Sequence, residues 1–186
     1  MKQPDLTDAL IGARNLLGWK LIHESEEGTT SGYIVETEAY DMHDPASHAF
    51  GGPSKRNAAM FEAAGTVYVY FTYGMHFCMN IVTGEKGHGQ GVLLRALEPV
   101  DGIDLMRIRR RGIVDIKQLT NGPAKLAQAM GINLSMRGLQ LGNSHLKLEP
   151  GIEVSDVVQT TRIGINKATD RHWRFYIADN AYVSRR

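Results

Sequence analysis

The chain has 186 residues, 42% of them hydrophobic and 22% charged, with a formal net charge of +1; this is the composition of one ordinary packed domain spanning 1–186 and excludes a disordered, collagen-like or fibrous protein. Asp8 and Arg14 interrupt the N-terminal apolar residues, so no signal peptide or membrane span is read there, and an intracellular, soluble protein with no membrane partner is expected. Cys78, the sole cysteine, excludes an intramolecular disulfide and a multi-cysteine zinc site.

Leu6, Leu10, Ala13 and Leu17 keep helical spacing after Asp5 or Thr7 as N-cap, and Gly18 ends that opening helix. Residues 19–24 and 29–37 are rich in β-formers around a Glu26-Glu27-Gly28 turn, which predicts a hairpin running to Glu38-Ala39-Tyr40. Residues 41–55 form a long polar loop, followed by a short helix over 55–64 with Ser54 as cap. Strands over 66–71, 76–82 and 92–97, separated by a Tyr73-Gly74 turn and a glycine-rich loop, predict an antiparallel meander. Helices near 101–111 and 123–130 follow, and short strands over 139–148, 160–165 and 174–177 close the chain. The expected fold is α+β: one compact domain with a curved antiparallel sheet and surrounding helices.

Several residues carry chemistry. Glu36 and Glu38 share one strand face, where they form either an ion-paired sheet edge or a carboxylate able to deprotonate water. Asp41, His43, Asp44 and His48 have metal-ligating atoms but no recognised ligand spacing. Tyr68, Tyr70 and Tyr73 crowd one strand and turn, as core rings or as surfaces for stacking and wedging nucleic-acid bases.

Residues 1–50 hold 3 Lys/Arg against 9 Asp/Glu and the remainder 18 against 11. That split is either ordinary surface charge or a carboxylate site beside a phosphate-binding surface. Lys55-Arg56, the Arg107–Arg111 run, Arg162, Arg171 and Arg174 supply the positive charge. Arg95, inside an apolar strand, needs a fixed anionic partner, either a carboxylate of the site or a phosphate.

Together, Ile34-Val-Glu-Thr-Glu-Ala-Tyr40, Arg56-Asn57 with Met60-Phe61, Val67-Tyr-Val-Tyr-Phe-Thr-Tyr-Gly-Met75, Phe77-Cys-Met-Asn80, Val92-Leu-Leu-Arg-Ala-Leu-Glu-Pro99, Gly122-Pro-Ala-Lys-Leu126, Arg162-Ile-Gly164 and Arg174-Phe-Tyr176 resemble the alkyladenine (3-methylpurine) DNA glycosylases in order and spacing. The resemblance implies a monomeric base-excision-repair enzyme that binds duplex DNA containing damaged purines, flips the lesion out and hydrolyses its glycosidic bond, with no cofactor and no metal. It makes Glu38 the general base and Tyr73 the residue filling the vacated stack. Tyr40, His48 and Tyr70 become the rings around the flipped base, Asn80 the group that crowds the exocyclic amine of guanine, and Arg95 a contact near the flipped phosphate. Met75 and His76 would touch DNA, although His76 stands where the family pattern leads one to expect another tyrosine. Two other readings remain: a metal-dependent hydrolase using Glu38, Asp41, His43 and His48, and a non-enzymatic module that stacks single-stranded bases.

Overall fold

A computed structural model describes residues 3–184. Its organising element is a strand of 14 residues, β2 (Gly28–Asp41), which follows β1 (Lys20–Ser25) in the hairpin the turn chemistry predicts. The meander is also present, as β3 (Val67–Thr72), β4 (His76–Val82) and β5 (Gln90–Asp101). β5 returns antiparallel along most of β2, so the sheet runs β3-β4-β5-β2-β1-β6, with β6 being Leu146–Glu149. The other edge of β2 is shared: β1 pairs with Gly28 to Tyr33, and β8 (Arg174–Ile177) pairs with Glu36 to Glu38. β7 (Val157–Thr160) extends β8. The result is one curved antiparallel sheet in a single α+β domain.

Three helices cover the apolar face: α1 (Ala9–Asn15), α2 (Ile103–Arg109) and α3 (Pro123–Met130). Proline at the first turn and a left-handed Gly131 at the end give α3 the bounds its sequence predicts. Leu126, Ala127, Ala129 and Met130 of α3 join Leu21, Ile34, Met79, Ile81, Leu94 and Leu97 of the sheet in the main core. Among the described residues no helix is long and apolar enough to cross a membrane.

Four local expectations change. The N-cap of α1 is Asp8, whose Oδ1 accepts from Ile11 N at 2.8 Å; Asp5 is engaged instead by the amide and hydroxyl of Thr7. In place of a helix over 55–64 there is a 3-10 turn, Ala58–Phe61. Ser54 Oγ accepts from Asn57 N at 3.4 Å, and its amide and hydroxyl donate to Asn57 Oδ1, while Asn57 Nδ2 donates to the carbonyls of His48 and Gly52 and ties down the polar loop. The strand expected over 139–148 is reduced to β6 at its end, while Leu139 O accepts from Val67 N and Leu141 N donates to Gly65 O. The strand expected over 160–165 stops at Thr160, because the guanidinium of Arg162 is drawn inward to Asp44 and the carbonyl of Ala39.

Gly18 locks three segments at the end of α1. Its amide donates to Ile34 O at 2.8 Å, its carbonyl accepts from Ile152 N at 2.9 Å, and its φ is +81°. A Cβ there would stand 2.4 Å from Ile152 O. Gly18→Ala is therefore expected to lower stability by about 2–4 kcal/mol, from left-handed strain plus the clash, as read from urea unfolding midpoints. An unchanged midpoint would show that this junction yields without cost.

Candidate active site

β2 carries the two carboxylates into the interior side by side. Glu36 and Glu38 alternate with Val35 and Thr37, share one face, and are both fully buried. A buried carboxylate is tolerable only with charged or hydrogen-bonding partners, and each has them. Glu36 Oε1 accepts from Arg174 Nη1 at 2.8 Å, Ser184 Oγ at 3.0 Å and Arg95 Nε at 3.3 Å, while Oε2 accepts from Ser184 N at 2.7 Å. Both of its oxygens are thus occupied by its own chain.

Glu38 is held differently. Oε1 accepts from the backbone amide of Ile163 at 2.8 Å and lies 3.3 Å from Arg95 Nη1; Oε2 accepts from the Tyr40 hydroxyl at 2.8 Å. Burial opposes the charge of Arg95, but the flanking carboxylates of Glu38 and Glu36 outweigh it and hold its pKa above the ordinary arginine value. Arg95 thus bridges the two buried carboxylates.

Beside them is a cavity with a volume of about 580 Å³, within the range of small-molecule sites. Tyr40, His48, Tyr70, Asn80 and Arg95 all line it, and Tyr73 stands at its rim. Glu38 is fully buried behind this wall, in contact with the lining residues Tyr40, Arg95 and Ile163. The rings of His48 and Tyr70 meet edge to face with centroids 4.4 Å apart, and His48 Nδ1 lies 3.1 Å from the Tyr68 hydroxyl. Burial, with a smaller push from Arg56, lowers the pKa of His48 and favours the neutral ring. Burial raises the phenol pKa values of Tyr40 and Tyr70, reinforced at Tyr40 by the Glu38 carboxylate, so both rings stay neutral. Asn80 Nδ2 donates to the Tyr68 carbonyl at 3.1 Å, which fixes the amide against the wall.

At the mouth, β3 reverses into β4 through Tyr73 and Gly74, with φ of +50° and +67°. Glycine tolerates this region; tyrosine seldom occupies it. Tyr73 is 84% exposed and Met75 69%, an apolar tip held into solvent. His76 is half-buried beside it at the start of β4.

Of the residues of the metal-hydrolase alternative, Asp41 and His43 come together, but Glu38 is held by Tyr40, Ile163 and Arg95 and His48 sits in the aromatic wall, so the four do not form one group. Several of the arginines that supply the positive charge are engaged within the protein: Arg109 with Glu27, Arg110 with Gln128 and the Leu119 carbonyl, Arg162 with Asp44, and Arg174 with Glu36. Sequence reasoning gave no role to the Ile163 amide or to Ser184. One is a backbone group inside a recognised motif and the other a lone serine, so neither carries a side-chain pattern. Lys167, also unassigned, lines the cavity with Asn166.

Residues 5–181 match the protein family described as Methylpurine-DNA glycosylase (MPG). The chain belongs to that family. It is 49% identical over 184 residues to a protein of Methanoculleus marisnigri, covering 96% of this chain and 95% of the relative. It is 48% identical over 182 residues to one of Carboxydothermus hydrogenoformans, with the same coverage, and 42% identical over 188 residues to one of Nitrosospira multiformis, covering 100% and 95%. Each of these relatives bears the name "Putative 3-methyladenine DNA glycosylase". Membership makes this methylpurine-DNA glycosylase homologue a DNA-repair enzyme acting on alkylated purines in DNA.

The ionic knot has a measurable worth. Glu36→Gln keeps the shape but leaves Arg174 and Arg95 short of one buried charge, and is expected to cost about 3–5 kcal/mol. Glu24→Gln, which removes a surface pair with Lys147, should cost under about 1 kcal/mol. Equal urea midpoints for the two variants would show that the buried network is not a stabilising element.

Proposed function

We propose that the enzyme flips a damaged purine nucleotide of duplex DNA into the aromatic cavity and hydrolyses its N-glycosidic bond with a water deprotonated by Glu38. The observation carrying this reading is the contrast between the two carboxylates. Both carboxylates are engaged on both oxygens, but of the partners of Glu36 (Arg174, Ser184 and Arg95) only Arg95 lines the base-sized cavity, whereas all three partners of Glu38 (Ile163, Tyr40 and Arg95) line it. A carboxylate so oriented accepts a proton from water lodged among Tyr40, Arg95 and Ile163. As the bond from C1′ to the base nitrogen breaks, its electron pair leaves with the base, and the water oxygen bonds to C1′. The proton passes to Glu38, and an abasic site remains.

Tyr40, His48 and Tyr70 present ring faces and edges to the flipped base. A purine carrying a positive charge after alkylation, such as 3-methyladenine or 7-methylguanine, is attracted to electron-rich rings and leaves without prior protonation. Hypoxanthine and ethenoadenine, being neutral, need a proton on departure. They belong to the same proposed range because aromatic stacking is tolerant of shape. Asn80 crowds the exocyclic amine that marks normal guanine, and Arg95 lies near the phosphate of the flipped nucleotide. Tyr73 wedges into the stack at the vacated position, with Met75 and His76 against the DNA beside it. The enzyme works as a monomer on one nucleotide, within the cell.

Single-turnover release of base from duplexes bearing one ethenoadenine, hypoxanthine or 7-methylguanine tests the chemistry. Release is expected to resist chelators and to fall at least about 100-fold in Glu38→Gln with lesion binding retained. A Glu38→Gln enzyme that keeps its rate removes the base assignment. Lys167 provides the opposing outcome: a borohydride-trapped covalent complex would replace water by a lysine nucleophile.

The wedge is tested separately. Tyr73→Ala should raise the Kd for lesion duplex roughly 10-fold or more and reduce the fluorescence change of ethenoadenine on flipping. Undiminished flipping in that variant would mean that the tip does not fill the stack.

A further inference from the structure

The polar loop after β2 and the glycine-rich connection between β4 and β5 meet at three side chains to which the glycosylase reading gives no work. Among the described residues, Asp41, His43 and His88 form the one group of His, Cys, Asp and Glu whose ligand atoms all lie within 4.8 Å of one another. His88 Nε2 is 2.9 Å from Asp41 Oδ2, and the imidazoles of His43 and His88 pack edge to face with centroids 5.7 Å apart.

The backbone on both sides is fixed. His43 N donates to Asp41 Oδ1 at 2.8 Å, which engages that oxygen and presents Oδ2 to His88. Across the gap, Gly87 N donates to Phe61 O at 2.8 Å and His88 N to Glu85 O at 3.1 Å. None of the three side chains lines the aromatic cavity.

We propose that Asp41, His43 and His88 bind a divalent transition-metal ion of zinc-like preference, which pins the polar loop to the β4–β5 connection. Two imidazole nitrogens and one carboxylate oxygen are the donor set of a three-ligand zinc site whose fourth position is taken by water. Donors at about 2.0–2.2 Å around a tetrahedral ion stand about 3.3–3.6 Å apart. The His88–Asp41 pair therefore opens by about 0.5 Å, and His43 closes on it from no further than the present 4.8 Å envelope. The ion arrives from solvent, because His43 is exposed and Asp41 and His88 are half-buried. Imidazole donors favour zinc, nickel, cobalt or copper over magnesium and calcium.

The site has a structural consequence near the cavity. Asp41 follows Tyr40 on β2, and the loop it opens carries Pro45, Ala46, Ser47 and His48, which form one wall. An ion joining Asp41 and His43 to His88 crosslinks that wall to a connection 47 residues away in sequence. It fixes the wall and supplies no nucleophile, so the inference does not rest on the proposed hydrolysis and does not conflict with chelator-resistant chemistry.

Titration of metal-stripped protein with Co²⁺, followed by its visible d–d absorption and by competition with Zn²⁺, decides the matter. One equivalent per chain is expected. Affinity should fall at least tenfold in His43→Ala and in His88→Ala and hold in His145→Ala, which alters the separate His23–His145 pair. His43 is exposed, so its alanine variant tests the site even if His88→Ala folds poorly.

Absence of a stoichiometric band at submillimolar cobalt, unchanged affinity in His43→Ala, or its loss in His145→Ala would overturn the proposal. Saturating Zn²⁺ should also slow amide hydrogen exchange across residues 42–50 in the wild type and not in His43→Ala; binding without such protection removes the clamp. Base release in chelator tests the glycosidic chemistry alone, so the two proposals fail separately.

Discussion

The placement of two carboxylates inside the sheet is the constraint around which the rest of this structure is arranged. Burying one carboxylate costs several kcal/mol even after relaxation, so burying Glu36 and Glu38 two residues apart requires cations and amides held in fixed positions. β2 meets this requirement through its two edges. β5 delivers Arg95 from one side, and β8 delivers Arg174 from the other, opposite Glu38 in register. The chain crossing from β7 to β8 adds the Ile163 amide, and the residue Ser184 returns to cap Glu36. Each of these segments supplies a partner to a buried carboxylate, so the C-terminal segment is tied to the central sheet by the same ionic network.

The uneven distribution of charge along the chain follows from the same arrangement. The acidic first segment supplies Glu27, Glu36, Glu38 and Asp44, and the basic remainder returns Arg109, Arg174, Arg95 and Arg162 to them. Four of the 18 positive charges after residue 50 that look available for phosphate in one dimension are therefore neutralised by the acidic segment in three. Arg162 also lies over the rings of Tyr40 and Trp173, at 4.6 and 5.2 Å from their centroids, so one buried cation positions both an acid and an aromatic wall.

Periodicity made the hairpin, the meander and α3 legible before any coordinates, because each rests on local chemistry: a turn dipeptide, an alternation or a helix stop. The segment over 55–64 misled the same reasoning because Asn57 spends its side chain on the carbonyls of His48 and Gly52, a partner choice made by tertiary structure. Side chains within motifs were equally legible, and Tyr40, His48, Tyr70, Asn80 and Arg95 do meet around one cavity. The Ile163 amide was not, since a backbone donor has no identity in sequence. Asp41, His43 and His88 were also separated, because His88 lies in a glycine-rich stretch whose composition says only that the chain turns. The sequence neighbours of Asp41 and His43, namely Asp44 and His48, are engaged elsewhere, with Arg162 and in the aromatic wall.

Tyr73 shows how the two halves of the proposed function are geometrically linked. A turn with two left-handed residues favours Asn-Gly or Gly-Gly, and a tyrosine at its first position carries backbone strain of about 1–2 kcal/mol. Burial does not repay it, for the ring is mostly in solvent. The strain is intelligible if the ring is needed at that point. Tyr70, in the cavity wall, and Tyr73, at the rim, are separated by three steps of one strand and its turn, or about 10 Å of extended chain. Under the proposed function the wedge and the pocket are the two ends of one strand and its turn, with a spacing set by covalent geometry, and a nucleotide displaced at one end would be received within reach of the other.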